Sequence, residues 1–205
     1  MGRGCFITFE GIDGCGKSTQ IQYLTDYLKE KDIDFLLLRE PGGTVIGENI
    51  RTILLDKKNT GMTDMTELLL FEAARAQIVA EVIIPAVESG KVVICDRFFD
   101  STAAYQGYAK NMGSQVVDML NGLAAGGFEP DITFFLDISV EEALSRRSAR
   151  GEEDRIEKLG IEFQKKVREG YLELAGTKSR IVKIDGSQSP EDTASEIREY
   201  MGEYI

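Results

Sequence analysis

Histidine is absent from these 205 residues. Without it the chain has no imidazole base, no Ser-His-Asp triad and few of the ligand sets that hold zinc. Cysteine is scarce: Cys5, Cys15 and Cys95 lie far apart with no C-x-x-C pair. Cys5 and Cys95 fall in apolar runs and read as small buried hydrophobes of a reducing compartment, and Cys15, between glycines, reads as space filling. Positive charge is short, with 24 Lys and Arg against 35 Asp and Glu and a net charge of -11. That balance argues against nucleic acid or an anionic membrane as partner. No apolar run reaches the about 18 residues of a membrane span. Phe6 stands where N-myristoylation of a Met-Gly start needs Ser or Thr. A cytoplasmic location is expected. The length suits one domain, 1–205, with a full core. Lys, Arg, carboxylates and a hard metal are left to do the chemistry.

Against these absences stands one dense stretch, Phe9-Glu10-Gly11-Ile12-Asp13-Gly14-Cys15-Gly16-Lys17-Ser18-Thr19. Gly11 and Gly16 bracket four residues and precede Lys17-Ser18, the spacing of a P-loop (11–18), and the apolar run Cys5, Phe6, Ile7, Phe9 supplies the strand that must come before it. Glycines let successive N–H groups converge on one concavity, and a helix starting near Lys17 adds its positive end. Such a cradle takes phosphate, here that of a small nucleotide. Lys17 is expected on the β- and γ-phosphates and the Ser18 hydroxyl on Mg2+.

Periodicity then lays out an α/β chain. Ile21, Leu24 and Leu28 mark a helix to about Glu30, and Phe35 to Leu38 a short strand. Arg39-Glu40-Pro41-Gly42-Gly43-Thr44 is a turn at a strand's carboxyl end, where open α/β sheets bind ligands. A helix with Ile50, Ile53 and Leu54 inward follows. Asp64 with Glu67 suggests the start of a long helix from Met65 to about Glu88, apolar on several sides and closed by Pro85 and Gly90. On it Phe71 and Arg75 stand one turn apart, either as core Phe and rim Arg paired with Glu72 or Glu81, or as an aromatic platform and guanidinium for a planar base. Val92 to Asp96 is a strand ending in a carboxylate suited to Mg2+, and Arg97 after it can take a phosphate. A helix from Phe98 would present Ser101, Thr102, Tyr105 and Gln106 to one cleft. Ile132 to Leu136 is a strand ending at Asp137, and Ser139 with Glu142 caps the next helix. Arg146, Arg147, Arg150 and Arg155 crowd around Gly151 and suit a lid over about 146–158. A helix with Phe163, Val167 and Tyr171, a strand Arg180 to Ile184, and a helix after Ser189-Pro190 with Ala194, Ile197, Met201 and Tyr204 inward complete the chain. The fold expected is a three-layer α/β/α P-loop NTPase with a mostly five-stranded parallel sheet and a short arginine-rich lid.

In order along the chain, the P-loop stretch, Arg39-Glu40-Pro41-Gly42-Gly43-Thr44, Leu70-Phe71-Glu72-Ala73-Ala74-Arg75-Ala76-Gln77, Asp96-Arg97-Phe98, Ala104-Tyr105-Gln106-Gly107 and Arg150-Gly151-Glu152 leading to Asp154-Arg155-Ile156-Glu157 resemble thymidylate kinases of the bacterial and archaeal type. The resemblance runs end to end and implies Mg2+-dependent phosphoryl transfer from ATP to dTMP by a homodimer. It implies that Gly11, Ile12, Asp13, Gly14, Cys15, Gly16, Lys17, Ser18 and Thr19 hold ATP, and that Ser18 and Asp96 serve Mg2+. For dTMP it implies Phe71 stacked on the base, Arg75 on a base carbonyl, and Thr102 and Gln106 on the other polar edge. Tyr105 would pack by the sugar and disfavour a 2′-hydroxyl, Asp13 would lie near the 3′-hydroxyl, and Arg97 with the Glu40 turn would hold the acceptor phosphate. Lys17, Arg97, Arg146, Arg150 and Arg155 would carry the cationic catalysis. One subtype of the family keeps a basic residue in the loop; Gly14 occupies that position here, which shifts the work to the lid. Phe98 stands where Tyr is common and Ser148 where the lid often has Arg.

Such a transfer needs in-line placement and charge neutralisation rather than a protein nucleophile, in keeping with a chain that lacks histidine. Two alternatives are a kinase for another monophosphate (dUMP, UMP, CMP or AMP) and a P-loop nucleotide switch. A base carbonyl at Arg75 disfavours adenine and cytosine, and the Asn-Lys-x-Asp motif of guanine-specific switches is absent.

Overall fold

The computed structural model describes residues 3–147, 155–156 and 159–205, Arg147 by its backbone alone. The strands β1 (Phe6–Glu10), β2 (Phe35–Arg39), β3 (Val92–Asp96), β4 (Ile132–Asp137) and β5 (Ile181–Asp185) pair in parallel in the order β2-β3-β1-β4-β5. The strand that feeds the Gly-rich loop is therefore central. Its neighbour β3 puts Asp96 level with Phe9.

The continuous apolar runs of β1 and β3 follow from burial on both faces. Cys5, Ile7, Phe9, Val92 and Ile94 join one cluster with Leu24, Leu28, Val167 and Tyr171. Phe6, Val93 and Cys95 join the other with Ile78, Ile83, Val87 and Phe98. Each fully buried side chain of this size contributes about 1.5–3 kcal/mol. The clusters are completed by α1 (Lys17–Glu30), α8 (Ile161–Thr177) and α9 (Pro190–Met201) on one face, and by the helix running from α3 (Asp64–Ile78) into α4 (Ile84–Glu88) on the other. Layered in this way, the molecule is the three-layer α/β/α arrangement expected of its sequence.

Pro85 does not end the long helix. A wide π-helical turn, Val79–Ile83, precedes it and is closed by the Ile84 N–H on the Val79 carbonyl, so a residue without an N–H is accommodated and the helix runs on to Glu88. The start also differs from the sequence expectation. Thr63 is the cap, its hydroxyl accepting from the Thr66 N–H, and Glu67 is turned into the interior instead of back to the cap.

A second π-helical segment, Ala103–Ala109, continues α5 (Phe99–Thr102). The remaining helices are α2 (Val45–Leu55), α6 (Ser114–Ala124) and α7 (Val140–Arg147). In α2 only Leu54 of the expected inward residues is fully buried, and Ile53 is exposed. Tyr204 lies beyond the end of α9 and is exposed as well. Apolar side chains stand exposed on three adjacent helices: Val45, Ile46 and Ile53 on α2, Met65 and Leu69 on α3, and Val116, Met119 and Leu123 on α6.

Candidate active site

The phosphate side is built from backbone. Gly11, Gly14 and Gly16 have φ of 137°, 96° and 104°, conformations that side chains rarely adopt. At Gly14 a Cβ would also stand 2.3 Å from the Ala143 carbonyl oxygen of α7, so the loop lies directly against that helix. Gly16 is the N-cap of α1 and supplies no side-chain acceptor, and the first turn holds no acidic residue. By contrast α2, α3 and α9 are capped by Thr44, Thr63 and Ser189. The leading N–H groups of α1 are thus left for an anion. Lys17, largely buried, folds back so that its Nζ donates to the Gly11 carbonyl at 3.1 Å and lies 3.9 Å from Asp13 Oδ1. Ile12 and Cys15 are buried under the loop, Ser18 is exposed at the helix start, and Thr19 follows it, half-buried.

Asp96 at the tip of β3 has a buried Oδ1 without a hydrogen-bond partner among the described residues. No three Asp, Glu or Cys side chains gather into a metal cluster among the described residues. An ion here would take phosphate oxygens and water for most of its shell, the usual habit of Mg2+. An exposed hydroxyl and one spare carboxylate oxygen fit that habit.

Arg97 adopts φ 70° and donates from Nη2 to Asp13 Oδ1 (2.7 Å) and from Nη1 to Ser101 Oγ (3.1 Å) and Tyr171 Oη (3.2 Å). Its guanidinium also lies over the Tyr105 ring at 5.3 Å. Beneath it sits Glu10, fully buried, which accepts from the Phe98 N–H, the Ser101 hydroxyl and the Tyr171 hydroxyl at 2.6–2.7 Å. Burial pushes the Glu10 carboxyl above its ordinary range, the Asp100 charge adds to that, and Arg97 opposes it. Glu10 and Tyr171 were not among the sequence candidates. A charged residue closing the apolar run of β1 was the signal that could have found Glu10.

The other side is built from side chains. Arg75 is 1% exposed. Its Nε and Nη2 donate to Glu40 Oε2 at 3.0 and 2.9 Å, Nη1 to both Glu72 oxygens and to Asn121 Oδ1 at 2.9 Å, and Nη2 to Thr102 Oγ1 at 2.9 Å. All five N–H donors thus have acceptors. It is no rim arginine: Glu72 is one partner, whereas Glu81 accepts from Gln77. Burial drives the Glu40 carboxyl up to about 7, with Arg75 offsetting only part of it, and Glu40 Oε1 is buried without a partner among the described residues. Phe98 is fully buried, with the Arg75 guanidinium 5.3 Å from its ring.

Phe71 is half-buried one turn from Arg75. One turn further back, Glu67 accepts from Gln106 Nε2 (2.8 Å), Lys110 Nζ (2.7 Å) and Arg155 Nη2 (2.5 Å). Burial acts to raise the Glu67 carboxyl, but the bonds from Lys110 and Gln106 outweigh it and hold it below the ordinary range. Tyr105, packed edge-on to Phe163 and Tyr171, keeps a buried hydroxyl without a partner among the described residues, and burial raises its pKa.

Thus Asp13, Lys17, Arg97 and Tyr105 come together around the loop, Glu40, Arg75 and Thr102 form a second, buried network, and Gln106 joins Glu67. Of the arginines expected in a lid, Arg146 lies away from both groups and Arg155 reaches Glu67 beside Gln106. Arg146 donates to the Gly186 carbonyl and to Glu142, and Arg155 donates to the Leu54 carbonyl as well as to Glu67. Arg150 lies outside the described residues, as does most of the 146–158 stretch. Arg51, also not a candidate, donates to the Pro41 carbonyl beside Arg39.

A glycine-made anion cradle at the end of the central strand, a carboxylate at the neighbouring tip and a buried polar network around Arg75 are the features of a P-loop phosphotransferase of the nucleoside monophosphate kinase class. The family model described as thymidylate kinase matches residues 9–197. The chain is 48% identical over 204 residues to a thymidylate kinase of Thermoanaerobacter sp. (strain X514), covering 99% of this chain and all of the relative. It is 51% identical over 187 residues to that of Caldanaerobacter subterraneus subsp. tengcongensis (91% and 89% covered) and 47% over 205 residues to that of Geobacter sulfurreducens (97% and 96% covered). The chain belongs to the thymidylate kinase family.

Proposed function

We propose that this protein transfers the γ-phosphoryl group of ATP to dTMP, giving ADP and the dTDP needed for dTTP synthesis. The carrying observation is the Arg97–Asp13 pair, which joins the strand tip bearing Asp96 to the phosphate loop and so sets one guanidinium between the two half-sites. ATP sits on the Gly11–Thr19 loop, where Lys17 exchanges the Gly11 carbonyl for the phosphates. Arg97 holds the acceptor phosphate, and its held geometry supplies in-line placement. Ser18 and Asp96 would hold Mg2+, which would supply charge neutralisation at the transferring group. Arg146, Arg150 and Arg155 are assigned to the lid.

In the acceptor pocket Phe71 stacks on thymine and Arg75 donates to a base carbonyl. Its carboxylate bonds are the stronger ones, so the donor shared with the base is one now given to a neutral acceptor, Thr102 or Asn121. Tyr105 lies by the sugar and Asp13 by its 3′-hydroxyl. The protein works in the cytoplasm as a homodimer, and the exposed apolar side chains of α2, α3 and α6 support the second copy.

The test is ADP formation from ATP against dTMP, dUMP, UMP, CMP and AMP, with Mg2+ present and then chelated. Turnover highest with dTMP and abolished by the chelator is expected. Turnover with none of the monophosphates would favour a nucleotide switch. Sedimentation of the same sample tests the dimer.

A further inference from the structure

Glu67 lies one turn before Phe71 on the same stripe of α3 that carries Arg75, yet it is 1% exposed and gives its carboxylate wholly to Gln106, Lys110 and Arg155. An ionised carboxylate only accepts hydrogen bonds. The Gln106 amide must therefore turn its NH2 to Glu67, which leaves its Oε1 as the end available to a ligand. Gln106 is one turn along from Thr102, which accepts from Arg75. The pocket then has a fixed polarity, a donor at Arg75 and an acceptor at Gln106. A pyrimidine with a carbonyl at C4 and a proton on N3 complements that pair. Cytosine, with an amino group at C4 and a bare N3, meets donor with donor and acceptor with acceptor.

We propose that Glu67 is a positioning residue that determines specificity: by locking the orientation of the Gln106 amide it selects thymine over cytosine. This rests on the dTMP reading above. Lys110 and Arg155 take up the carboxylate's remaining lone pairs, and the Gln106 bond stands independently of them. Substituting Glu67→Gln keeps the shape but gives position 67 a donor of its own, so the Gln106 amide is free to flip.

The experiment compares kcat and KM for dTMP and dCMP in the wild type, E67Q and Lys110→Met, with melting temperature alongside. The expected result is a dTMP-over-dCMP preference in kcat/KM that falls about tenfold or more in E67Q, the scale of one mispaired buried hydrogen bond. The loss should appear mainly as a higher KM for dTMP. Lys110→Met, which removes an ion pair but leaves the Gln106 bond, should melt lower and keep the wild-type preference. Equal losses on both nucleotides in E67Q, with an unchanged ratio, would overturn the proposal and reduce Glu67 to a structural acid. If E67Q does not fold, the double variant E67Q/Q106E decides, since it keeps one carboxylate for the cations and an acceptor toward the base. A preference within about threefold of wild type supports the proposal, and a preference near unity overturns it. Failure of the wild type to phosphorylate dTMP would instead sink the functional reading.

Discussion

The two halves of the proposed site are built to hold ligands by opposite means. On the phosphate side the binding groups are N–H dipoles of a glycine loop and an uncapped helix start, with one lysine parked on a carbonyl. On the acceptor side they are buried side chains of opposite charge whose donors are already occupied, as at Arg75. A triphosphate carries charge enough to bind a generic cradle. A base is told apart by hydrogen-bond polarity, and that requires groups that cannot turn. The contrast teaches that pre-organisation here is steric on one side and electrostatic on the other.

Breaking the electrostatic side should have the larger effect on stability. Arg75→Leu leaves Glu40 and Glu72 buried without their cation, and removing one partner of a buried pair costs about 3–5 kcal/mol. Chemical denaturation at neutral pH measures it. Lys17→Met should do the reverse, lowering kcat/KM about 10²–10³-fold, or about 3–4 kcal/mol of barrier, while the denaturation midpoint barely moves. Steady-state kinetics and unfolding on one preparation separate the two outcomes.

A smaller effect sharpens the comparison through pH. Glu40 has its pKa raised from 4.5 to about 7. The folded state therefore holds this proton where the unfolded chain has lost it, and stability falls as pH rises through that window, by at most about 1.4 kcal/mol per unit. Melting temperature should decline between about pH 4.5 and 7. Glu40→Gln should flatten the decline, and an unchanged slope would show that Glu40 is ionised throughout.

The same contrast governs what could be read from the sequence. The loop, the strand before it and the carboxylate on the adjacent strand are local patterns, and each stands where spacing put it, Asp96 included. The acceptor network is not local. Glu40 meets Arg75 across 35 residues, Glu67 meets Gln106 across 39 and Arg75 meets Asn121 across 46. No spacing rule announces such pairs, so Glu67 read as half of a capping box and Asn121 as nothing at all. Ile53 misled for a related reason, since its helical face is apolar whether it meets a core or lies open. Pro85 misled because the wide turn that admits it depends on backbone geometry that side-chain patterns do not encode.

The close approach of Gly14 to α7 limits which residues that position can hold. With the Ala143 carbonyl oxygen 2.3 Å from where a Cβ would begin, position 14 cannot take a basic side chain while α7 stays where it is. The helix would have to shift first, and that shift alone brings no cation. Packing against α7 thus keeps position 14 uncharged, so any cation over the proposed phosphate site has to come from outside it.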